Sequence, residues 1–134
     1  MKLKSEKPKR NKVIKRLDAI FSKYIRSRDK YTCQRCGAKH DKSSSGLHCS
    51  HFWHRGDMGT RWSEENCVAL CYGCHQRWEG DKQGEYMDFM LERIGEARYK
   101  ALKILAKGAV KFSVTDLLLL EQDFKKRYGN EEST

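Results

Sequence analysis

Asn66-Cys67-Val68-Ala69-Leu70-Cys71-Tyr72-Gly73-Cys74-His75 is the stretch on which the reading of this chain turns. Its apolar first half predicts a short strand over Asn66–Leu70. A helix beginning near Cys71 or Tyr72 then carries Cys74 and His75. A Cys-x-x-Cys turn places two sulfurs on one side of an ion, and Cys33-x-x-Cys36 upstream repeats the arrangement. Zinc takes four such thiolates in a tetrahedron, at sulfur distances of about 2.3 Å. The spacing therefore predicts a structural Zn²⁺ held by Cys33, Cys36, Cys71 and Cys74, and in a small domain that ion contributes folding energy directly. Cys49 and Cys67 have no close cysteine partner in the sequence and read as buried thiols acting as small hydrophobes. A disulfide between them is disfavoured in a reducing compartment.

Between the two Cys-x-x-Cys turns, Leu47–Trp53 reads as a first strand and 54–63 as a loop with Gly56 and Gly59. His48 and His51 lie on that strand, Asn66 opens the second, and His75 follows Cys74. A hairpin followed by a helix can gather His51, Asn66 and His75 around one phosphate. A neutral imidazole takes a proton from water, the hydroxide attacks phosphorus in line, and a divalent ion stabilises the developing charge. An amide can hold the imidazole in orientation. Arg61, next to Trp62, has two readings: a clamp on the scissile phosphate, or a surface arginine stacked on the indole. Arg55 is a weaker candidate for the same work.

The flanks are helical. Val13, Leu17, Ile20, Phe21, Tyr24 and Ile25 give one apolar face over about 12–28, and residues 1–11 read as a flexible basic arm. The first 30 residues carry 12 lysines and arginines against three acids, a net +9 of the chain's +10. Such a segment attracts phosphate backbones without reading sequence, and Lys12, Lys15, Arg16, Lys23 and Arg26 are its candidate DNA contacts. Beyond Gly84, Tyr86, Phe89, Met90 and Ile94 share one helical face, Gly95 punctuates, and Ala97–Lys107 continues as another helix. Ser113 and Asp116 form a capping-box pattern ahead of Leu117, Leu120 and Phe124. That last face can complete the chain's own core or pair two copies into a homodimer. Hydrophobic residues make up 38% and charged residues 34%, a soluble balance. No apolar run, Leu117–Leu120 included, approaches the roughly 20 residues of a membrane span, so a cytoplasmic protein without membrane contact is expected.

Taken together, Cys33-x-x-Cys36, His51, Asn66 and Cys71-x-x-Cys74-His75 resemble the HNH, or ββα-metal, nuclease finger with structural zinc. More narrowly, Ser50-His51-Phe52, Arg55-Gly56, Thr60-Arg61-Trp62 and Cys71-Tyr72-Gly73-Cys74-His75 resemble the NinG-type (Rap) recombination endonucleases of lambda-like phages. The similarity extends through Gly84–Gly95 and covers about residues 31–100. It implies an α+β fold: a small zinc-stabilised ββα-metal finger (31–83), a basic arm and amphipathic helix before it (1–30) and a C-terminal helical segment after it (84–134), in a single compact domain. It implies an endonuclease hydrolysing phosphodiester bonds in DNA, on branched or four-way junction substrates, inside a bacterial host. His51 matches the general base, Asn66 the residue that orients it, and His75 a ligand of a catalytic Mg²⁺ or Mn²⁺. Many relatives place Asp or His immediately before the base as second ligand, where Ser50 stands here; His48, His54 and Asp57 are the alternatives. Two rival readings stand beside this one: a zinc-stabilised DNA-binding module without catalysis, and a general nicking HNH nuclease without junction preference. An HNH restriction or homing-type enzyme ranks below them, because no second recognition domain of useful size is present.

Overall fold

The computed structural model describes residues 2–129, with side chains from Lys9 onward; Met1 and residues 130–134, the end of the expected C-terminal segment, lie outside the described residues. The chain divides into two compact units, one of residues 25–110 and one made from both ends of the chain. The architecture is α+β, with one two-stranded sheet among the described residues.

In the unit of residues 25–110, the end of helix α1 (Lys2–Arg28) leads into a knuckle closed by a bridge between Thr32 and Lys39. Strand β1 (Leu47–His51) pairs antiparallel with β2 (Cys67–Cys71), Leu47 opposite Cys71 and His51 opposite Cys67. Helices α2 (Tyr72–Glu79), α3 (Gln83–Ile94) and α4 (Glu96–Lys107) follow. Leu47, Val68, Ala69, Leu70, Trp78, Tyr86 and Met90 form the core of the unit. β2 is buried along nearly its whole length, because the segment after α1 covers its outer edge: Gln34 N–H donates to the Ala69 carbonyl (2.9 Å) and Asp29 accepts from Ala69 N–H (2.8 Å).

β1 ends two residues earlier than the sequence predicts and β2 is shifted by one residue, for one reason. Asn66 is fully buried in a single turn over Glu64–Asn66, and its amide takes the place of a strand partner for Trp53. Trp53 N–H donates to Asn66 Oδ1 (2.8 Å), and Asn66 Nδ2 donates to the Trp53 carbonyl (2.9 Å). The ladder therefore stops at His51, and β2 begins at Cys67 rather than Asn66.

The second unit brings residues 2–24 of α1 together with residues 111–129, mostly helix α5 (Val114–Tyr128). The register of contacts runs in one direction. Arg10 donates to the Phe112 carbonyl, Arg16 pairs with Glu121, Phe21 stacks on Phe124 at 6.0 Å, and Tyr24 meets Tyr128 at 4.2 Å. α5 thus lies parallel to α1. Ser113 and Asp116 form the capping box expected from sequence, the Ser113 hydroxyl accepting from Asp116 N–H and the Asp116 carboxylate from Ser113 N–H. The expectation of a flexible arm through residue 11 is corrected: α1 starts at Lys2. Lysine, arginine and glutamate are good helix formers, and extending a formed helix needs no new nucleus. Of the Leu117, Leu120 and Phe124 face offered for self-association or for the chain's own core, Leu117 (0% exposed) and Phe124 (1%) are covered within the chain, and Leu120 is half-buried. No described helix is long and apolar enough to cross a membrane.

Candidate metal and phosphodiester site

The four cysteines of the two Cys-x-x-Cys turns come together. Each offers a sulfur within 4.8 Å of the other three, and Cys36 Sγ stands 3.8 Å from Cys71 Sγ. Two sulfurs on a tetrahedral zinc are about 3.8 Å apart, so the set fits that ion and can hold it. The first turn is shaped by Gly37, whose φ of 78° is a left-handed conformation that costs glycine little. Cys36 N–H points at Cys33 Sγ (3.5 Å). Burial alone would raise the Cys33 thiol, but backbone N–H groups from Cys36, Cys71 and Arg35 outweigh it and bring the thiol down to about 7. Burial instead pushes the Cys74 thiol up to about 12. Four thiols at this spacing ionise together only with a cation between them. Arg35 adds a second tie: it donates to Cys74 Sγ (3.5 Å) and holds Glu85 on α3 through two bonds of 3.1 and 3.3 Å.

Strand alternation sorts the histidines. His48 and Ser50 share one face of β1, and Cys49 and His51 share the other. His48 meets α2, where its Nδ1 lies 3.0 Å from His75 Nδ1. His75 Nε2 sits 2.8 Å from Glu79 Oε1, one helical turn on. With Nε2–H donated to the carboxylate, the neutral His75 ring carries its lone pair on Nδ1, toward His48. Two imidazole nitrogens about 3 Å apart suit adjacent positions on one divalent ion, and a carboxylate behind a ligating histidine is a common support. His48 is held below the usual histidine range, first by burial and then by the neighbouring His75, which favours the neutral form a metal requires. Ser50 has no such role. It is 0% exposed, and its hydroxyl bonds Tyr86 OH at 2.9 Å in the core.

His51 ends β1. Its Nε2 is 2.9 Å from the Arg61 carbonyl, and because a carbonyl only accepts, Nε2 must carry the proton. The neutral ring then has its lone pair on Nδ1. The carbonyl that holds it belongs to a loop fixed by Asn66, which also donates to Thr60 O at 3.1 Å, while Phe52 N–H donates to the Asn66 carbonyl at 2.8 Å. Both N–H groups of the Asn66 amide are thereby used on backbone, so Asn66 acts on His51 through the loop rather than through the ring. Gly59 fits this loop against α4: a Cβ there would stand 2.4 Å from the Leu105 carbonyl oxygen.

A cleft of about 400 Å³ opens beside His51, with Glu79, His54, Lys103 and Lys107 on its walls and Trp53 and Tyr99 among its aromatic lining. His51 and the Glu79 that supports His75 thus face one space. Arg61 donates to the Arg55 carbonyl (2.9 Å), and its guanidinium lies 5.7 Å from the Trp62 ring. Asp57 N–H closes a turn onto the His54 carbonyl in the same loop (2.9 Å). Of the basic candidates, Lys12, Lys15 and Lys23 are exposed, and Arg16 is engaged by Glu121 at 2.6 and 3.0 Å. Arg26 is half-buried and Arg55 exposed.

Sequence reasoning missed three groups. Glu79 was visible as the i+4 neighbour of His75 on a helix. Lys103 and Lys107 share a face of α4 but reach the cleft only through the packing of that helix. Cys49 and Cys67, read as buried thiols with a disulfide between them disfavoured, lie together with His51.

The family model described as Bacteriophage Lambda NinG protein matches residues 1–131, so the chain belongs to that family. No curated protein and no solved structure matches.

Proposed function

We propose that this NinG-family chain is a metal-dependent DNA endonuclease of the HNH type, hydrolysing phosphodiester bonds in branched or junction DNA. The observation that carries the reading is the bond from His51 Nε2 to the Arg61 carbonyl, which leaves Nδ1 as the basic nitrogen at the end of the hairpin. A general base must be fixed in tautomer and direction before it can take a proton from water. Here Asn66 fixes the loop, the loop carbonyl fixes the ring, and the cleft gives a phosphate room beside it. His51 Nδ1 accepts a proton from the attacking water, and the hydroxide oxygen forms its bond to phosphorus as the leaving oxygen departs. His48 and His75, the latter braced by Glu79, would hold Mg²⁺ or Mn²⁺. That ion supplies charge stabilisation to the phosphoryl group and its leaving oxygen. Lys103 and Lys107 attract the phosphate backbone at the cleft, and Lys12, Lys15 and Lys23 do so on α1. The preference for branched DNA rests on the family alone.

The test compares cleavage of a four-way junction and a linear duplex of the same sequence, in Mg²⁺ or Mn²⁺, by the parent and His51→Ala. Loss of cutting by about 10²- to 10⁴-fold in the variant, with binding retained, is the expected result for a general base. Equal His51-dependent cutting of both substrates removes the junction preference. DNA binding without any metal-dependent cutting makes the chain a zinc-stabilised binding module.

A further inference from the structure

Cys49 and Cys67 gain a partner when the hairpin forms. Cys49 and His51 are two residues apart on β1 and share a face, and Cys67 is the cross-strand partner of His51. One ligand atom from each of Cys49, His51 and Cys67 lies within 4.8 Å of the other two. Ligands sharing one zinc ion stand about 3.3–3.8 Å apart, so a small side-chain adjustment completes a shell. Cys67 is 1% exposed while Cys49 and His51 are half-buried, which covers the set on one side and leaves it accessible on the other. The His51 ring is held as a ligating histidine is commonly held, with one N–H on a backbone carbonyl and the lone pair on the other nitrogen. The set shares no residue with the four-cysteine site. It also lies on the face of β1 opposite His48.

We infer that Cys49, His51 and Cys67 form a second, soft-metal site that binds Zn²⁺ through two thiolates and one imidazole, and that zinc bound there withholds His51 from proton transfer. Two thiols release two protons as they bind, and their two negative charges balance the dication. A fourth position stays open for water. The two thiolates set this site apart from the His48 and His75 pair: Mg²⁺, a hard ion, avoids sulfur, whereas zinc takes it readily. The same hairpin would then respond to two metals in opposite senses. The binding stands without the nuclease reading; only the inhibition rests on it.

Protein with its four-cysteine site filled is titrated with Zn²⁺, and separately with Co²⁺, whose thiolate charge-transfer absorption reports sulfur ligation. The parent is expected to take up one equivalent more than Cys49→Ser, with the same circular dichroism in both. His51→Ala loses the same equivalent. In Mg²⁺, cleavage by the parent falls at least about tenfold as that equivalent binds, and cleavage by Cys49→Ser does not. Equal uptake by the parent and Cys49→Ser overturns the site, whether or not either protein cuts DNA, and so does an extra equivalent whose cobalt spectrum lacks sulfur ligation. The extra equivalent without a change in the cleavage rate overturns the inhibition. Absence of cleavage in every protein, with the extra equivalent present, overturns the nuclease reading and leaves the metal site standing.

Discussion

The four-cysteine set and the loop from Phe52 to Asn66 both hold chemistry in place, by different means. The set is made of two short turns, Cys33–Cys36 and Cys71–Cys74, whose sulfurs meet but whose charges need a cation between them. The loop is held by hydrogen bonds and close packing rather than by an ion of its own. Asn66 stitches it through bonds to Trp53 and Thr60, the Arg61 carbonyl grips His51, and Gly59 lets it lie against Leu105. The first region needs a cation between its thiols, and the fold supports it as well: Cys33 and Cys74 are buried in the core, and Arg35 ties Cys74 to Glu85. The second holds no ligand of its own and depends on the packing of the whole unit around it, the cysteine turns included.

Metal removal should have the largest effect, because the loop lies between the two cysteine turns in the sequence. Structural zinc in small fingers contributes about 10–16 kcal/mol at neutral pH, so stripping it is expected to unfold residues 31–80, read by loss of near-UV circular dichroism and of amide protection. A zinc-free chain that keeps its tertiary signal would show that hydrogen bonds alone suffice. Asn66→Ala strikes the other region. It removes three buried hydrogen bonds and should cost about 2–4 kcal/mol in denaturant unfolding, with the zinc content unchanged. Simultaneous release of zinc would mean that the dependence runs in both directions. Gly59→Ala should cost about 1–3 kcal/mol, because loop or helix must move to admit the methyl. An unaltered melting temperature would contradict the close approach to α4.

Acid should give the smallest effect, at a joint that serves both regions. Asp29 is 7% exposed and accepts from Arg28, Arg93 and Ala69 N–H. Burial raises its carboxyl, but the two guanidinium groups and the amide outweigh burial and hold it below its ordinary value of 3.8. A carboxyl depressed in the folded state stabilises above its unfolded value and loses that contribution as pH falls through the folded one. Stability should therefore decline below about pH 4 more steeply in the parent than in Asp29→Asn, whose residue 29 does not titrate. Parallel melting curves for the two proteins over that range would remove Asp29 from the account.

Local patterns in the sequence were read well where the chemistry was itself local. The Cys-x-x-Cys spacing sets two sulfurs on one side by turn geometry, and the Ser113–Asp116 box closes within a single helical turn. The pair of His75 and Glu79 is just as local, since four residues on a helix bring side chains together wherever the helix lies, but Glu79 was passed over. The strand ends were misplaced because the group that stops the ladder is a side chain, Asn66, arriving from 13 residues away in sequence. The direction of His48 could not be read, since a slip of one residue in register reverses every side chain of a strand.

The sequence by itself determined the four-cysteine set that can hold a zinc ion, the helical faces of Val13–Ile25 and Leu117–Phe124, and the presence of His51, Asn66 and His75 between and beside the knuckles. Each follows from spacing along a turn or a helix, whose geometry is fixed by the chain's own covalent reach. Only the tertiary structure decided that His48 turns toward His75, that Cys49 and Cys67 gather at His51, and that α5 runs parallel to α1. Those outcomes depend on register and on contacts between residues far apart in the chain, which the buried core selects and no local pattern encodes.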